Sequence, residues 1–428
     1  MSAWARRGLL AVAVGVGLLA LLAAVIAWLN LRGEEGLDAM PATGVPANPA
    51  AIARGAYLAR AGNCMGCHTA RGGEPFAGGR GIQTPFGTVY ASNLTPDATT
   101  GLGGWSAAEF WRALHHGRSK DGRLLTPAFP YPNFTLVTRA DADSIYAYLR
   151  SVPAVLQANR PHDLRFPFNQ QAALAVWRAL YFEPARFEPD PAQSAAWNRG
   201  SYLVRGLGHC VACHGGRNWL GATTGESPLA GGLIPQQLWY APSLSSSAEA
   251  GVAAWSDDEV VALLKTGISP RGSAMGPMAE VVFRSTQHLD DEDLRAMATY
   301  LRCLPATEPS APSSPVRAAN AESLRHGAKL YTAHCASCHG EQGEGLPDRI
   351  PPLKGNRAVT LAAPNNVIKA IVHGGFAPTT AGNPRPYGMP PFGQALRDEE
   401  IAALATHIRQ SWGHRAGAVS SLDVLQTR

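Results

Sequence analysis

The chain has 428 residues, which at about 150 residues per domain predicts two or three domains rather than one small module. Apolar residues make up 46% of it and charged residues only 16%, which excludes a mostly disordered protein and disfavours long solvated coiled coils. The formal net charge is +5 and no long run of Lys or Arg occurs, so we expect no nucleic-acid partner.

The first predicted element is an N-terminal transmembrane helix within residues 1–31. Residues 9–29 contain no charged side chain and, at ~1.5 Å per residue, are long enough to cross the ~30 Å core of a bilayer. Arg6 and Arg7 precede this stretch and acidic residues follow it, so the positive-inside rule places the short N-terminus in the cytoplasm. The alternative is a cleaved secretory signal, whose apolar core is usually shorter. Both alternatives export the bulk of the chain.

Six of the seven cysteines belong to three copies of one pattern, Cys-x-x-Cys-His. In this pattern two thiols one helical turn apart can add to the two vinyl groups of a heme, and the adjacent imidazole becomes the proximal iron ligand. The chain is therefore predicted to carry three c-type hemes. The predicted covalent residues are Cys64, Cys67, Cys210, Cys213, Cys335 and Cys338, and the predicted proximal ligands are His68, His214 and His339.

Two other kinds of site use a Cys-x-x-Cys pair. A structural zinc site needs its two Cys/His sets within about 15 to 20 residues of each other, whereas these copies begin at residues 64, 210 and 335. A thioredoxin-like redox pair does not require a His directly after the second Cys. The three repeated His residues therefore favour heme.

Three short helices are predicted around each attachment motif. The first carries a small Gly followed by an aromatic residue, and the second begins with a Ser-x-x-Glu capping box in two of the three copies. The first helices contain residues 54–58, 199–203 and 326–331, the second helices cover 105–117, 255–267 and 365–374, and the last helices cover 141–152, 290–304 and 398–410.

This arrangement resembles the class I cytochrome c fold. In that fold the first and last helices cross at close range, which a Gly permits, and the heme fills much of the core of a domain of about 100 residues. The sequence is therefore predicted to be mainly α, with three tandem class I cytochrome c domains behind an N-terminal transmembrane helix.

The predicted boundaries follow from these repeats. The aromatic-rich connector is expected to pack along the first two domains, whereas the C-terminal tail is expected to fray. The segments are the anchor 1–31, the tether 32–47, module one 48–155, the packed connector 156–192, module two 193–306, the linker 307–320, module three 321–414 and the tail 415–428.

The sixth iron ligand in electron carriers is usually Met, whose thioether raises the potential. Met389 lies in a Pro-rich turn just before the last helix of module three and is the predicted ligand there. Met278 holds the matching place in module two, with Met275 as the alternative. Met297 and Cys303 lie on the predicted last helix of module two and are expected to be buried structural residues, Cys303 with a free thiol.

Module one departs from this pattern. Phe129 stands where Met is expected, and Phe cannot ligate iron. His116 and His115, which precede that loop, are the nearest possible sixth ligands. If neither binds, the iron is five-coordinate or takes a ligand from another part of the chain.

The whole pattern resembles the membrane-bound triheme cytochrome c subunits of bacterial periplasmic dehydrogenases, including those of alcohol, gluconate, sorbitol and aldehyde oxidising complexes. The resemblance covers about residues 50–412. It rests on the three attachment motifs and on residues 127–131, 166–169, 199–204, 216–221 and 276–282. It implies that electrons come from a separate catalytic subunit of flavin, quinone or molybdenum type and pass to ubiquinone or a terminal oxidase.

The resemblance also implies a location in the bacterial inner (plasma) membrane, with the bulk of the chain on the periplasmic side. In carrying Phe129 the chain looks more similar to the cytochromes that accompany molybdenum-containing dehydrogenases, because the alcohol and gluconate lineage carries Met at this position. The alternative function is a heme enzyme, peroxidase-like or a small-molecule reductase, acting at a heme one that lacks a Met ligand. With Met ligands expected at two hemes, electron transfer is the preferred prediction.

Overall fold

The computed structural model describes residues 2–34, 48–223, 229–307, 317–347 and 349–428. Most of the predicted tether and most of the predicted linker lie outside the described residues. The chain divides into two compact units. Compact unit one comprises Met1–Gly55 and Ala77–Phe187, and compact unit two comprises Ala56–Phe76 and Glu188–Arg428.

The described residues are mainly helical, with short antiparallel strand pairs between the helices. The helices are α1 (Ala3–Leu31), α2 (Pro49–Ala61), α3 (Cys64–His68), α4 (Ala107–His116), α5 (Tyr131–Phe134), α6 (Arg139–Ser151), α7 (Gln171–Tyr181), α8 (Ala195–Tyr202), α9 (Val211–His214), α10 (Asp257–Thr266), α11 (Gly276–Arg284), α12 (Asp291–Arg302), α13 (Ala321–His334), α14 (Ala336–His339), α15 (Arg357–Thr360), α16 (Asn365–His373), α17 (Asp398–Gln410) and α18 (Ser421–Thr427). A π-helical turn, Leu203–Leu207, continues α8, and a 3-10 turn, Thr286–His288, follows α11.

The strands form one three-stranded sheet and three two-stranded pairs. Strands β1 (Gly81–Thr84), β2 (Gly87–Tyr90) and β3 (Asp163–Leu164) form the sheet, and the pairs are β4 (Gly232–Leu233) with β5 (Tyr240–Ala241), β6 (Ile268–Ser269) with β7 (Gly272–Ser273), and β8 (Gly375–Phe376) with β9 (Gly388–Met389).

The predicted close crossing of first and last helices is confirmed in all three modules. Each crossing places a Gly of the first helix directly against a backbone carbonyl of the last helix, so that a Cβ at the Gly would overlap the carbonyl oxygen. The pairs are Gly55 with Ser144, Gly200 with Ala296, and Gly327 with Ala403. Only Gly allows this approach, because any other residue would push the two helices apart.

An ion pair reinforces two of these crossings. The residue before the Gly is Arg54 in module one and Arg199 in module two. Arg54 Nε donates to Asp141 Oδ1 at 2.9 Å, and Arg199 donates to both oxygens of Asp293 at 2.7 Å. Both aspartates are buried at the start of the last helix, so each is compensated by its Arg.

The second helices also follow the sequence prediction. Ser106 and Ser256 each close a capping box with the Glu three residues later, which satisfies backbone N–H groups at the starts of α4 and α10. Gly117 ends α4 at φ 57° and Gly267 ends α10 at φ 78°, a left-handed conformation that favours Gly.

Module one's first helix extends beyond compact unit one. Ala61 packs in a buried apolar cluster with Leu203 and Leu294, which belong to module two. Tyr57 donates to Asp293 Oδ2 at 2.5 Å, and α3 packs against α11. These contacts place residues 56–76, including the first attachment motif, in compact unit two.

Two expectations are wrong. The predicted frayed tail, 415–428, contains α18, and Val419 and Val424 are buried in the apolar core of module three. These two side chains complete that core next to α17, so the tail is held rather than frayed. Cys303 is exposed rather than buried, because α12 ends at Arg302.

The connector contains α7, which packs in compact unit one. Gln171 exchanges two hydrogen bonds with the backbone of Leu124, and Asn30 at the end of α1 donates to the Ala175 carbonyl at 2.9 Å. In the described part of the chain, α1 is the one helix long and apolar enough to cross a membrane.

Candidate heme sites

Each attachment motif forms a short helical turn directly after the first helix of its module. These turns are α3, α9 and α14. The Cys213 N–H donates to the Cys210 carbonyl at 3.2 Å, and the same bond joins Cys338 to Cys335 at 3.1 Å. The two thiols of a motif are therefore one turn apart, the spacing that joins both to one heme.

The protonation of the cysteines argues against a redox dithiol. Burial raises the pKa of the Cys210 thiol to about 12 and that of Cys335 to about 11, with a smaller contribution from the neighbouring Cys of each motif. A thioredoxin-like pair depends on a thiol whose pKa is lowered. In the described residues, moreover, no group of three or more His, Cys, Asp or Glu side chains could hold a metal ion.

The predicted proximal histidines of modules two and three are oriented in the same way. His214 Nδ1 lies 2.7 Å from the Pro242 carbonyl, and His339 Nδ1 lies 3.3 Å from the Pro351 carbonyl. A carbonyl can only accept, so Nδ1 carries the proton in each ring and Nε2 keeps its lone pair. Burial lowers the pKa of both imidazoles, which favours this neutral form. The donor set fits a c-type heme.

In module two the attachment site and the predicted Met share one core. Cys210 and Met278 pack against the same buried apolar cluster, and Met297 lies inside that cluster as predicted. Met278 lies in the first turn of α11 rather than in a loop, because Pro277 at the start of the helix begins it early. Met275 is the residue just before α11.

Module three repeats this arrangement. Cys335 is buried in the apolar core of the module, and Met389 packs against that core. Met389 lies on β9 and pairs with Gly375 of β8, so a hairpin fixes the position of its thioether. The role of Met389 as the sixth ligand remains a prediction.

Module one does not gather its predicted residues in one compact unit. Cys64, Cys67 and His68 belong to compact unit two, whereas His115 and His116 end α4 in compact unit one. The imidazole rings of His115 and His116 are both buried. Burial lowers the pKa of His116 to about 3, with a smaller contribution from His115. His115 stacks on Trp111 with ring centroids 4.3 Å apart.

Phe129 packs against Phe134 with ring centroids 5.4 Å apart. It therefore contributes to the apolar packing of its loop, and the sixth ligand of heme one remains an open prediction.

Sequence reasoning missed the carbonyls that orient the histidines. Pro242 follows Tyr240 and Ala241, and the same Tyr-Ala pair recurs at residues 90–91 of module one. This local repeat is the signal that could have drawn attention to the segment. Its backbone role could not be read from residue types, because every residue supplies a carbonyl.

Comparison with protein families gives two matches. The family described as cytochrome c matches residues 52–153 and 324–412. The family described as cytochrome C oxidase, cbb3-type, subunit III, matches residues 195–301. All three attachment motifs fall inside these ranges.

Similar proteins cover most of this chain. It is 38% identical to the alcohol dehydrogenase (quinone) cytochrome c subunit of Gluconacetobacter polyoxogenes, over 89% of this chain and 85% of that protein. It is 37% identical to the gluconate 2-dehydrogenase cytochrome c subunit of Pantoea cypripedii, over 89% and 90%. It is also 37% identical to the fructose dehydrogenase cytochrome subunit of Gluconobacter japonicus, over 94% and 87%.

These names give no support to the alternative of a peroxidase-like heme enzyme. They agree with the repeated attachment motifs, the Gly crossings and the oriented histidines, all of which belong to the cytochrome c fold. The chain belongs to the family of cytochrome c subunits of dehydrogenases, and its prosthetic group is c-type heme.

Proposed function

We propose that this chain carries three c-type hemes and transfers electrons from the catalytic subunit of a periplasmic dehydrogenase to ubiquinone or a terminal oxidase. The observation that carries the proposal is the repeated site in modules two and three. In each, a pair of Cys residues, a His with Nδ1 bonded to a Pro carbonyl, and a Met belong to one module, and the first Cys and the Met pack on one apolar core.

Bound heme supplies a one-electron redox centre whose potential depends on its axial ligands. The protein residues hold and insulate it. The Pro carbonyls fix the orientation of His214 and His339, and the apolar clusters against which Met278 and Met389 pack would shield a bound heme from water. Modules 48–155, 193–306 and 321–414 are proposed as the units that hold one heme each, and the three Gly crossings support this division.

The N-terminal helix is proposed to be a retained anchor in the inner membrane, with the modules in the periplasm. The end of α1 is part of the structure of compact unit one. Asn30 is buried and accepts from Arg178 Nε at 2.9 Å, and Glu34 accepts from Arg118 Nε at 2.9 Å. Cleavage at the end of α1, after Asn30, would leave the buried Arg178 without this partner. Intact mass measurement of the mature chain should include α1, and a mature N-terminus inside or after α1 would contradict retention.

Heme three is proposed to receive electrons from the catalytic subunit. Phe376 and Tyr387 are exposed next to the hairpin that carries Met389, and they give a partner an apolar surface close to the predicted ligand. Module one follows the anchor most closely in the chain, so the opposite end of the electron path is proposed for heme one.

Heme and thiol counting tests the proposal directly. Pyridine hemochrome quantitation of the purified chain should give three hemes, and Cys335→Ala should remove one. Cys303→Ser is the matched control and should remove none, because Cys303 is exposed and lies outside every motif. Unfolded wild-type protein should show a single reactive thiol, from Cys303. Three hemes in Cys335→Ala would contradict the assignment of module three.

A further inference from the structure

Helix α7 has two unlike faces. Arg178 on one face is only 2% exposed, although it carries a charge. On the other face Val176 is 43% exposed and Leu180, one turn later, is 63% exposed, with Ala172 exposed one turn earlier. Residues four apart lie on the same side of a helix, so these three form one apolar stripe.

The stripe is held in a fixed position. Arg178 Nη1 donates to the His116 carbonyl at 2.5 Å and Nε donates to Asn30 Oδ1 at 2.9 Å. At the other end of α7, Gln171 Oε1 accepts from the Leu124 N–H at 2.7 Å. The buried face of α7 is thus bonded to module one and to α1 at the same time, and the stripe cannot turn inward without breaking these bonds.

The contact with α1 sets the depth of α7. Asn30 donates to the Ala175 carbonyl, and it is the first polar side chain after the apolar segment that ends at Leu29. If α1 spans the bilayer, this level is the outer boundary of the hydrocarbon. Trp28 and Leu31, within two residues of Asn30, are also exposed, so apolar side chains are exposed on both helices close to the point at which α1 contacts α7.

The segment that precedes α7 has a composition typical of a membrane interface. Phe166 and Leu156 are exposed, and so are Arg160 and Arg165. Exposed aromatic and aliphatic side chains beside Arg residues are typical of segments that lie between acyl chains and headgroups.

We propose that α7 is an interfacial helix whose stripe, Ala172, Val176 and Leu180, contacts the acyl chains of the outer leaflet beside α1. The inference rests on the proposed anchoring by α1 and goes beyond it. Module one is then attached to the membrane through two elements, so its orientation on the bilayer is fixed rather than free on a tether. Its lipid-side surface is the one that a lipid-soluble quinone can reach.

Site-directed spin labelling of the full chain in phospholipid nanodiscs tests the proposal. In a Cys303→Ser background, Val176→Cys and Leu180→Cys are labelled with a nitroxide, one at a time. Collision with O₂, which concentrates in lipid, is compared with collision with a water-soluble nickel chelate. We expect both labels to collide with O₂ several-fold more, relative to the nickel chelate, than a label at Leu425→Cys. Leu425 is the matched control because it is also a helical Leu that is 63% exposed, on α18.

A label at Leu19→Cys on α1 reports the anchor itself. Lipid exposure at residue 19 combined with aqueous exposure at residues 176 and 180 would overturn the interfacial helix and leave the anchor intact. Aqueous exposure at residue 19 would overturn the anchor. Labels at 176 and 180 that are immobile and shielded from both reagents would show that a protein surface covers the stripe, which would also overturn the proposal. Unchanged heme spectra confirm that each labelled variant is folded.

Discussion

Modules one and three share the close crossing of their first and last helices and differ in the segments packed around that crossing. Gly55 and Gly327 make the same close crossing of first and last helices. In module three, Met389 packs against the core that contains Cys335, whereas the corresponding loop of module one carries Phe129, which packs against Phe134. The close crossing of the first and last helices therefore does not depend on whether Met or Phe occupies the loop before the last helix.

Each of the two modules also has an additional helix. Module three is completed by α18, which buries Val424 in the core, and module one is joined by α7, which buries Arg178. Helix α18 is held by the buried Val424 and by the carboxylate of Asp423, which caps its N-terminus. Helix α7 is held by hydrogen bonds of the Gln171 amide and the Arg178 guanidinium. An additional helix can thus be attached to the same pair of crossed helices either by apolar packing or by hydrogen bonds.

The largest effect is expected at the shared crossing. Gly327→Val and Gly55→Val each place side-chain carbons on a backbone carbonyl and should lower the free energy of unfolding by about 3 kcal/mol or more. Thermal unfolding followed by circular dichroism measures the loss. Gly382→Ala is the control, because the atom nearest to its added Cβ is 4.0 Å away. Wild-type melting of both Val variants would show that the two frames are not close crossings.

Met389→Phe should convert the ligand loop of module three to that of module one. We expect one heme to lose the weak charge-transfer band of Met-ligated ferric iron, and its potential to fall on the order of 0.1 V, within the ~0.8 V range that axial ligands span. Redox titration of the visible spectrum measures both. Met297→Leu, in the core of module two, should change neither. An unchanged band and potential in Met389→Phe would remove Met389 from the ligand set.

Phe129→Met makes the reciprocal change and should have a smaller effect, because the loop must also place the new sulfur over the iron. The wild-type chain should titrate with one low-potential component, and this variant should raise it. Three high-potential components in the wild-type chain, all with the charge-transfer band, would show that a Met from another part of the chain reaches heme one.

The smallest expected effect is a loss of stability of helix α18, compared with α7, at low pH. Burial raises the pKa of Asp423, but hydrogen bonds from Ser420 and Arg317 outweigh it and leave that pKa below its ordinary value. Asp423 therefore stabilises the folded state at neutral pH, and this contribution is lost as pH falls through the lowered pKa. The protection of residues 421–427 against hydrogen exchange, corrected for the intrinsic exchange rate at each pH, should be weaker at about pH 3 than at about pH 7.

Asp423→Asn should reduce this dependence on pH, whereas α7, whose bonds to module one involve no carboxylate, should keep its protection over the same range. Equal acid sensitivity of α7 and α18 would remove the distinction between the two additional helices.

The sequence predicted those parts of the fold that local chemistry determines. Ser106 and Ser256 marked helix starts, Gly55 marked a crossing, and Met297 was expected in the core, all as observed. The predictions that failed concern tertiary contacts. Val424 lies in a short segment whose burial depends on packing against α17, and no periodicity in the sequence could reveal that contact.

The site was predictable to the same degree. The Cys-x-x-Cys-His motifs determined the kind of cofactor, because that chemistry needs adjacent residues. The Pro242 carbonyl and the bond between Arg178 and Asn30 join residues far apart in the chain, so they could be found only in the structure.

The assignment of residues 56–76 to compact unit two orders events during biosynthesis. Tyr57 and its acceptor Asp293 are 236 residues apart, so in a chain synthesised from its N-terminus Cys64 and Cys67 are complete long before α12. Until then Ala61 lacks the apolar surface that buries it. The contacts that bury the first attachment segment can therefore form only after module two has been synthesised.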